Sequence, residues 1–175
     1  MELKDKTAFI TGGASGLGKA TAEYFIAAGA KVMLFDLSPE NAEATAQELG
    51  EKADWSAGDV SNESDVKRAI LKTKERVGGL QINVNSAGIG AAARTLGKNG
   101  PMAIQQFEFV IKVNLLGTFN CLRLCAAEMK DNEEQTEDGE KGVIINVASV
   151  AAFDGQIGQA AYSASKAGVA GMTLP

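Results

Sequence analysis

The sequence predicts an α/β fold, a doubly wound parallel sheet in three layers, on three observations. A glycine-rich turn joins the first strand to the first helix, short apolar strands alternate with helices along the chain, and polar residues collect where the strands end. The 175 residues, 45% hydrophobic and 22% charged, suit one globular domain spanning 1–175, with a sizeable core and no internal repeat or linker.

The apolar run Thr7 to Ile10 is the first strand, and Thr11-Gly12-Gly13-Ala14-Ser15-Gly16-Leu17-Gly18 follows it. Glycines at this junction let the backbone turn sharply and leave the N–H groups of the next helix open to an anion, of which phosphate is the natural example. In that helix Leu17, Ala20, Thr21, Tyr24 and Ala28 recur at helical spacing, so Tyr24 is expected in the core, and Gly29 stands at the C-terminal cap. Lys31 to Asp36 reads as a buried parallel strand with a carboxylate at its end. Ser38 is the expected N-cap of a second helix, with Pro39 in its first turn and Gly50 closing it.

A third, more polar strand around Ala53 to Ala57 belongs at the sheet edge. Ser61 is expected to cap the third helix, whose buried face is Val66, Ala69, Ile70, Thr73 and Val77; its early acids and late bases complement the helix dipole. Ile82 to Gly88 is a strand leaving through a small-residue turn, with Asn83 unexplained inside it. Gly90 to Met102 reads as irregular and Ile104 to Met129 as a long helix, in which Asn114 needs partners for its amide. Seven acidic residues between Glu128 and Glu140 mark a solvated loop. Val143 to Val147 is the strongest strand, and a last helix begins near Tyr162 and is expected to run on to Pro175.

Composition narrows the chemistry. The net charge of −5 argues against nucleic acid or an anionic membrane as partner, and there is no uninterrupted run of 18 apolar residues. Met1 enters the first strand almost at once, which leaves no room for a leader and predicts a cytoplasmic location, with the mitochondrial matrix as alternative. No histidine is present, which removes Ser-His-Asp and Cys-His catalysis. Cys121 and Cys125, four apart on one helix with no further ligands, read as small buried hydrophobes, so no metal is expected.

Ser15, Asp36, Asp59, Asn85 and Ser149 all fall at carboxyl ends of strands, where such sheets bind ligands. Asp36, eighteen residues after Gly18, is placed to accept hydrogen bonds from ribose hydroxyls and to repel a 2′-phosphate. Ser15 and Leu37 supply no compensating cation, so NAD is favoured over NADP; the bland alternative is an acid that serves its own turn. Tyr162 and Lys166 share a helix face. A free phenol loses its proton only near pH 10, so a base working at neutral pH needs a cation beside it, and Lys166 can serve. Ser149 can donate to a substrate oxygen or simply cap a turn.

Together, Thr11-Gly12-x-x-x-Gly16-x-Gly18, Asp36, Asp59-Val60, Asn85-x-Ala87-Gly88, Asn114, Ser149 and Tyr162-x-x-x-Lys166 resemble the short-chain dehydrogenase/reductase family from end to end of the chain. The resemblance implies a Rossmann-type fold and roles at the matching positions. Tyr162 would donate and accept the proton, Lys166 would assist it and bind the nicotinamide ribose, Ser149 would orient the carbonyl, and Asn114 would hold a relay water. Gly12, Ser15, Gly16, Leu17 and Gly18 would form the phosphate turn, Asp36 the adenosine ribose contact, and Asp59 and Val60 the adenine pocket. Asn85, Ser86, Ala87 and Gly88 would pass close to the cofactor, with Ser86 standing where the family more often has Asn.

The stretches Gly142 to Phe153 and Gly158 to Lys166 are similar to family members that oxidise the 3-hydroxyl of an acyl-CoA, which implies that substrate. A hydroxysteroid dehydrogenase and a 3-oxoacyl carrier-protein reductase are the alternatives, and an inactive NAD-binding fragment is the alternative outside enzymology. The resemblance also implies a homo-oligomer, dimer or tetramer, through the long helix and the last one. Family members continue past this point through two more strands, so the sequence is expected to be a piece of a longer chain.

Overall fold

The computed structural model describes residues 1–175. In chain order its elements are β1 (Thr7–Thr11), α1 (Gly16–Ala27), β2 (Lys31–Asp36), α2 (Pro39–Leu49), β3 (Ala53–Ala57), α3 (Glu63–Lys72), β4 (Ile82–Asn85), β5 (Leu96–Gly97), β6 (Gly100–Pro101), α4 (Ile104–Ile111), α5 (Gly117–Met129), β7 (Val143–Asn146) and α6 (Ala160–Gly171). Five strands form one parallel sheet in the order β3-β2-β1-β4-β7, while β5 and β6 make a small antiparallel hairpin. Strand order reverses beside β1, so the crevice expected of a doubly wound sheet opens between the ends of β1 and β4.

Side chains alternate across the sheet. Ala8, Ile10, Val32 and Leu34 pack with Ala22, Phe25 and Ala46 of α1 and α2; Phe9, Met33 and Phe35 face Val66, Ala69 and Ile70 of α3 and Cys121, Cys125 and Met129 of α5. Every residue of β1 is buried, as a central parallel strand covered on both faces must be. The edge strand β3 is guarded by α3: Lys72 donates to the carbonyl of Trp55 and Arg68 to that of Ala57, occupying acceptors that another strand would otherwise use.

Three expectations need correcting. Tyr24 and Leu17 are each 69% exposed, because α1 buries Gly18, Ala22 and Phe25 instead. That face meets the sheet because α1 must lay a glycine, not a leucine, against the preceding turn. The N-cap of α3 is Asn62 rather than Ser61; its side chain accepts from the N–H groups of Ser64 and Asp65, while Ser61 turns to Asp59. The last helix ends at Gly171, where the chain leaves the helical path before Pro175. The helical run Ile104–Met129 is apolar enough on average to cross a membrane, despite having no unbroken apolar run. Here Cys121, Cys125 and Met129 pack it onto the sheet.

Asn83 also finds its explanation. Its Nδ2 donates to the Phe9 carbonyl at 3.3 Å, and its Oδ1 accepts from Nδ2 of Asn85 at 2.8 Å, which in turn donates to Oδ1 of Asn146 at 2.9 Å. Three asparagines thus ladder across β4 and β7 on one face. Asn85→Ala leaves two of these oxygens without their donor, and urea denaturation should show a loss of about 2 kcal/mol; an unchanged midpoint would mean that the ladder contributes nothing.

Candidate active site

The turn between β1 and α1 is built on close backbone contact. A Cβ on Gly18 would lie 2.1 Å from the Gly12 carbonyl oxygen, and Gly12 itself has φ +63°. Residue 18 must therefore be glycine for α1 to start here. Ser15 is the N-cap residue of α1 but makes no side-chain cap, and no acid occupies the first turn. By contrast, α2 and α3 carry both a side-chain cap and a first-turn acid. The N–H groups of α1 are thus left open, and they face a cavity of about 410 Å³. An uncapped helix end over a glycine cradle fits a pyrophosphate.

Five of the predicted binding residues, Gly12, Ser15, Gly16, Leu17 and Gly18, line this cavity from the turn. Asp36 enters from the end of β2, and Asp59 and Val60 follow β3. Asp36 and Asp59 are the only ionisable side chains in its walls, and no lysine or arginine reaches it. Each carboxylate also serves its own loop. Oδ2 of Asp36 accepts from the Ala14 N–H at 3.1 Å and Oδ1 from Ser38 N–H at 3.3 Å; Oδ1 of Asp59 accepts from the Ser61 N–H and hydroxyl, both at 2.8 Å. A carboxylate has about four acceptor positions, so both retain capacity for a ligand.

The opposite wall is Ser86, Ala87 and Gly88 after β4. The Ser86 hydroxyl donates to the Thr11 carbonyl and the Ala87 N–H to Thr11 Oγ1, strapping this turn to β1. Asn85 does not reach the cavity; it lies buried beneath as the middle rung of the asparagine ladder. Gly88 marks where the cavity meets Asn114 and Lys166, since a Cβ there would stand 3.2 Å from Asn114 Oδ1 and 3.7 Å from Lys166 Nζ.

Asn114 is fully buried in a wide helical turn, Lys112–Leu116, between α4 and α5. Its Oδ1 accepts from the Ile89 N–H at 2.8 Å, and its Nδ2 donates to the Ile89 carbonyl at 3.0 Å and to Ser165 Oγ at 3.1 Å. Both amide protons are spent on fixing Ile89 to α6. Such wide turns change side-chain register within a helix, and this one sits where that is used.

Lys166 is 5% exposed; its Nζ donates to the Val147 carbonyl at 2.7 Å and lies 5.9 Å from the centre of the Tyr162 ring. Burial lowers its pKa from the ordinary lysine value, because no carboxylate is near enough to offset the loss of water. Ser149 and Tyr162 line a second cavity of about 410 Å³ beside the first. Ser149 Oγ accepts from the Ala151 N–H at 3.2 Å, so it does cap a turn, yet its proton stays free to donate. Capping and orienting a substrate are compatible here.

The structure therefore gathers the phosphate turn, Asp36, Asp59, Val60 and the Ser86–Gly88 turn around one cavity, and puts Ser149 with Tyr162 at the next. Sequence reasoning missed Phe35, Gly58, Ile89, Phe109 and Val113 in the first cavity, where Leu37 was read only as a position without a cation, and Gln156 and Gln159 in the second. Leu37 and Ile89 adjoin predicted residues and could have been found that way. Phe109 and Val113 carry no signal beyond an ordinary helical apolar pattern. Ser165 was missed as the residue that ties Asn114 to α6, its hydroxyl donating to the Tyr162 carbonyl at 2.7 Å.

The short chain dehydrogenase family model matches residues 6–174, and the chain belongs to the short-chain dehydrogenase/reductase family. It is thereby one of a class of oxidoreductases that act on CH–OH groups of small molecules with a nicotinamide dinucleotide. Among its relatives, the 3-hydroxyacyl-CoA dehydrogenases type-2 of Bos taurus and Homo sapiens are each 50% identical over 175 residues, covering 99% of this chain and 67% of theirs. A crystal structure of 3-hydroxyacyl-CoA dehydrogenase type-2 from Mycobacterium avium is 39% identical with a TM-score of 0.90, covering 97% of this chain and 66% of that one. The chain thus spans about two thirds of the length of these relatives.

The buried ammonium sets a testable pH dependence. Between the lowered native pKa of Lys166 and the unfolded value of about 10.4, the unfolded chain binds a proton that the native chain does not, so stability rises with pH in that window. Lys166→Met abolishes this contribution. Denaturation midpoints of the unaltered protein should therefore gain on those of Lys166→Met as pH climbs from 7 towards 10.5; parallel curves would show that the lysine is not desolvated.

Proposed function

We propose that this chain carries the NAD site and the proton-transfer residues of a dehydrogenase that interconverts a secondary alcohol and a ketone, with a 3-hydroxyacyl-CoA as the alcohol. The observation that carries the NAD reading is the acid-only wall around the cavity: Asp36 stands at the β2 end with no cation nearby to accept a 2′-phosphate. In this reading the open N-terminus of α1 takes the pyrophosphate, Asp36 the adenosine ribose, and Asp59 and Val60 the adenine. The acyl-CoA reading rests on similarity to relatives of that name.

A bound nicotinamide supplies or accepts the hydride. The remaining steps belong to the chain. Ser149 donates to the carbonyl oxygen of the ketone and keeps it within reach of Tyr162. The Tyr162 hydroxyl gives that oxygen its proton as the carbon receives hydride, so ketone, hydride and proton together make the alcohol; oxidation runs the same path backwards. Lys166, fixed by Val147, stabilises the phenolate that Tyr162 becomes. Asn114 acts through Ile89 and Ser165, holding the wall between cavity and catalytic helix. Half-exposed Leu116 and Phe119, apolar side chains that do not cover the sheet, form the face through which two copies associate.

NADH binding by calorimetry and NADH oxidation with acetoacetyl-CoA test the reading directly. Binding without turnover by residues 1–175, set beside an active longer chain, would favour a cofactor-binding module; turnover of the complete protein only on a steroid or an acyl-carrier-protein ester would overturn the substrate. Tyr162→Phe should lower kcat by 10²–10⁴-fold, the usual range for losing a positioned acid, on the order of several kcal/mol of barrier, with NADH affinity unchanged. Near-normal turnover in that variant would remove Tyr162 from the mechanism. Replacing Asp36 with Ser and Leu37 with Arg should shift preference towards NADPH by about tenfold or more in the ratio of dissociation constants; an unchanged ratio would show that Asp36 does not read the ribose.

A further inference from the structure

We infer that Asn120, far from the reacting groups, is a positioning residue for the adenine side of the cofactor cavity, acting through the main chain of Val60. The inference rests on the reading of Asp59 and Val60 as the adenine rim. This rim follows β3, an edge strand with a neighbour on one side only, so the sheet alone holds it weakly. Its local bonds, in which the Ser61 N–H donates to Asp59 Oδ1 and the Asp59 N–H to Asp65 Oδ2, fold the loop but do not tie it to the opposite wall.

That tie comes from α5. Asn120, buried to 7% exposure, donates from Nδ2 to the Val60 carbonyl at 2.8 Å. Its Oδ1 accepts from Arg123 at 2.8 Å, and the same Arg123 nitrogen reaches Glu63 of α3 at 2.7 Å. The amide is therefore fixed in one orientation, with its donor towards Val60. One turn earlier, Gly117 lets the Val60 side chain lie flat on α5; a Cβ there would stand 2.5 Å from Val60 Cγ2. Asn114, just before α5 in the same helical run, holds Ile89 on the other wall of the cavity. One rigid helix thus sets the separation of both walls.

Asn120→Asp keeps the size and the acceptor for Arg123 but can no longer donate to Val60. Gly117→Ala pushes Val60 off the helix with Asn120 intact. Binding of AMP, ADP-ribose and nicotinamide mononucleotide, followed by NMR titration alongside melting temperature, separates the outcomes. Both variants should weaken AMP and ADP-ribose by about tenfold and leave nicotinamide mononucleotide within about twofold. Arg123→Met, a change at a half-exposed side chain, should give a smaller loss of the same kind, and decides the matter if the other two do not fold. AMP affinity unchanged in a folded Asn120→Asp or Gly117→Ala protein, or in Arg123→Met where neither folds, overturns the inference. So does an equal loss for nicotinamide mononucleotide, which would mark a general loosening. If the unaltered chain binds neither AMP nor ADP-ribose, the adenine reading itself fails, and the inference with it.

Discussion

The contact on which the site depends is the one between Gly18 and the carbonyl of Gly12, where no room remains for a Cβ. Helix α1 can begin that close to the strand only if its first turn is bare. The same closeness aims its uncapped N–H groups over the ends of β1, β2 and β4. A cap or an acid in that turn would stabilise the helix, as at α2 and α3, but would fill or repel the anion position. Local stability is given up there, and in the proposed reading the cofactor's pyrophosphate supplies the missing partner.

Around that turn, fixed geometry comes from buried amides rather than from apolar packing alone. The Asn83–Asn85–Asn146 ladder joins β4 to β7 beneath the cavity, and Asn114 joins the β4 exit to α6. Buried amides are costly unless paired, so each arrangement has few alternatives once formed. That is the property a site needs when Ser149 comes from the end of β7 and Tyr162 and Lys166 from α6. The lysine is the exception in kind: it is buried with a carbonyl but no counter-ion, and its charge is accordingly less favoured.

The β3 edge of the sheet is guarded by side chains. At β3 the long side chains of Lys72 and Arg68 cover carbonyls, and Lys72 also lies over the Trp55 ring, 5.1 Å from its centre. That edge leads into Val60, which an intruding strand would displace.

Much was legible in the residue order. Strand and helix types follow from apolar periodicity, the phosphate turn from its glycines, and Asp36 from its distance beyond them, since each signal is local and depends on backbone geometry. Tyr24 was misplaced because an apolar stripe does not say which of two adjacent faces meets the sheet, and the Gly18 contact decided that. Ser61 and Asn62 are both plausible caps in sequence; only the Asp59 turn, which claims Ser61, leaves Asn62 to do the capping. Asn83 made no sense alone, because its partners are 74, 2 and, through Asn85, 61 residues distant in sequence. The sequence by itself determined the α/β class, the family and the glycine turn between β1 and α1. Tertiary structure alone decided which buried amides pair, which face of α1 is inside and how the helical run from Asn114 to Asn120 joins the two cavity walls, because those depend on contacts between segments that no local pattern encodes.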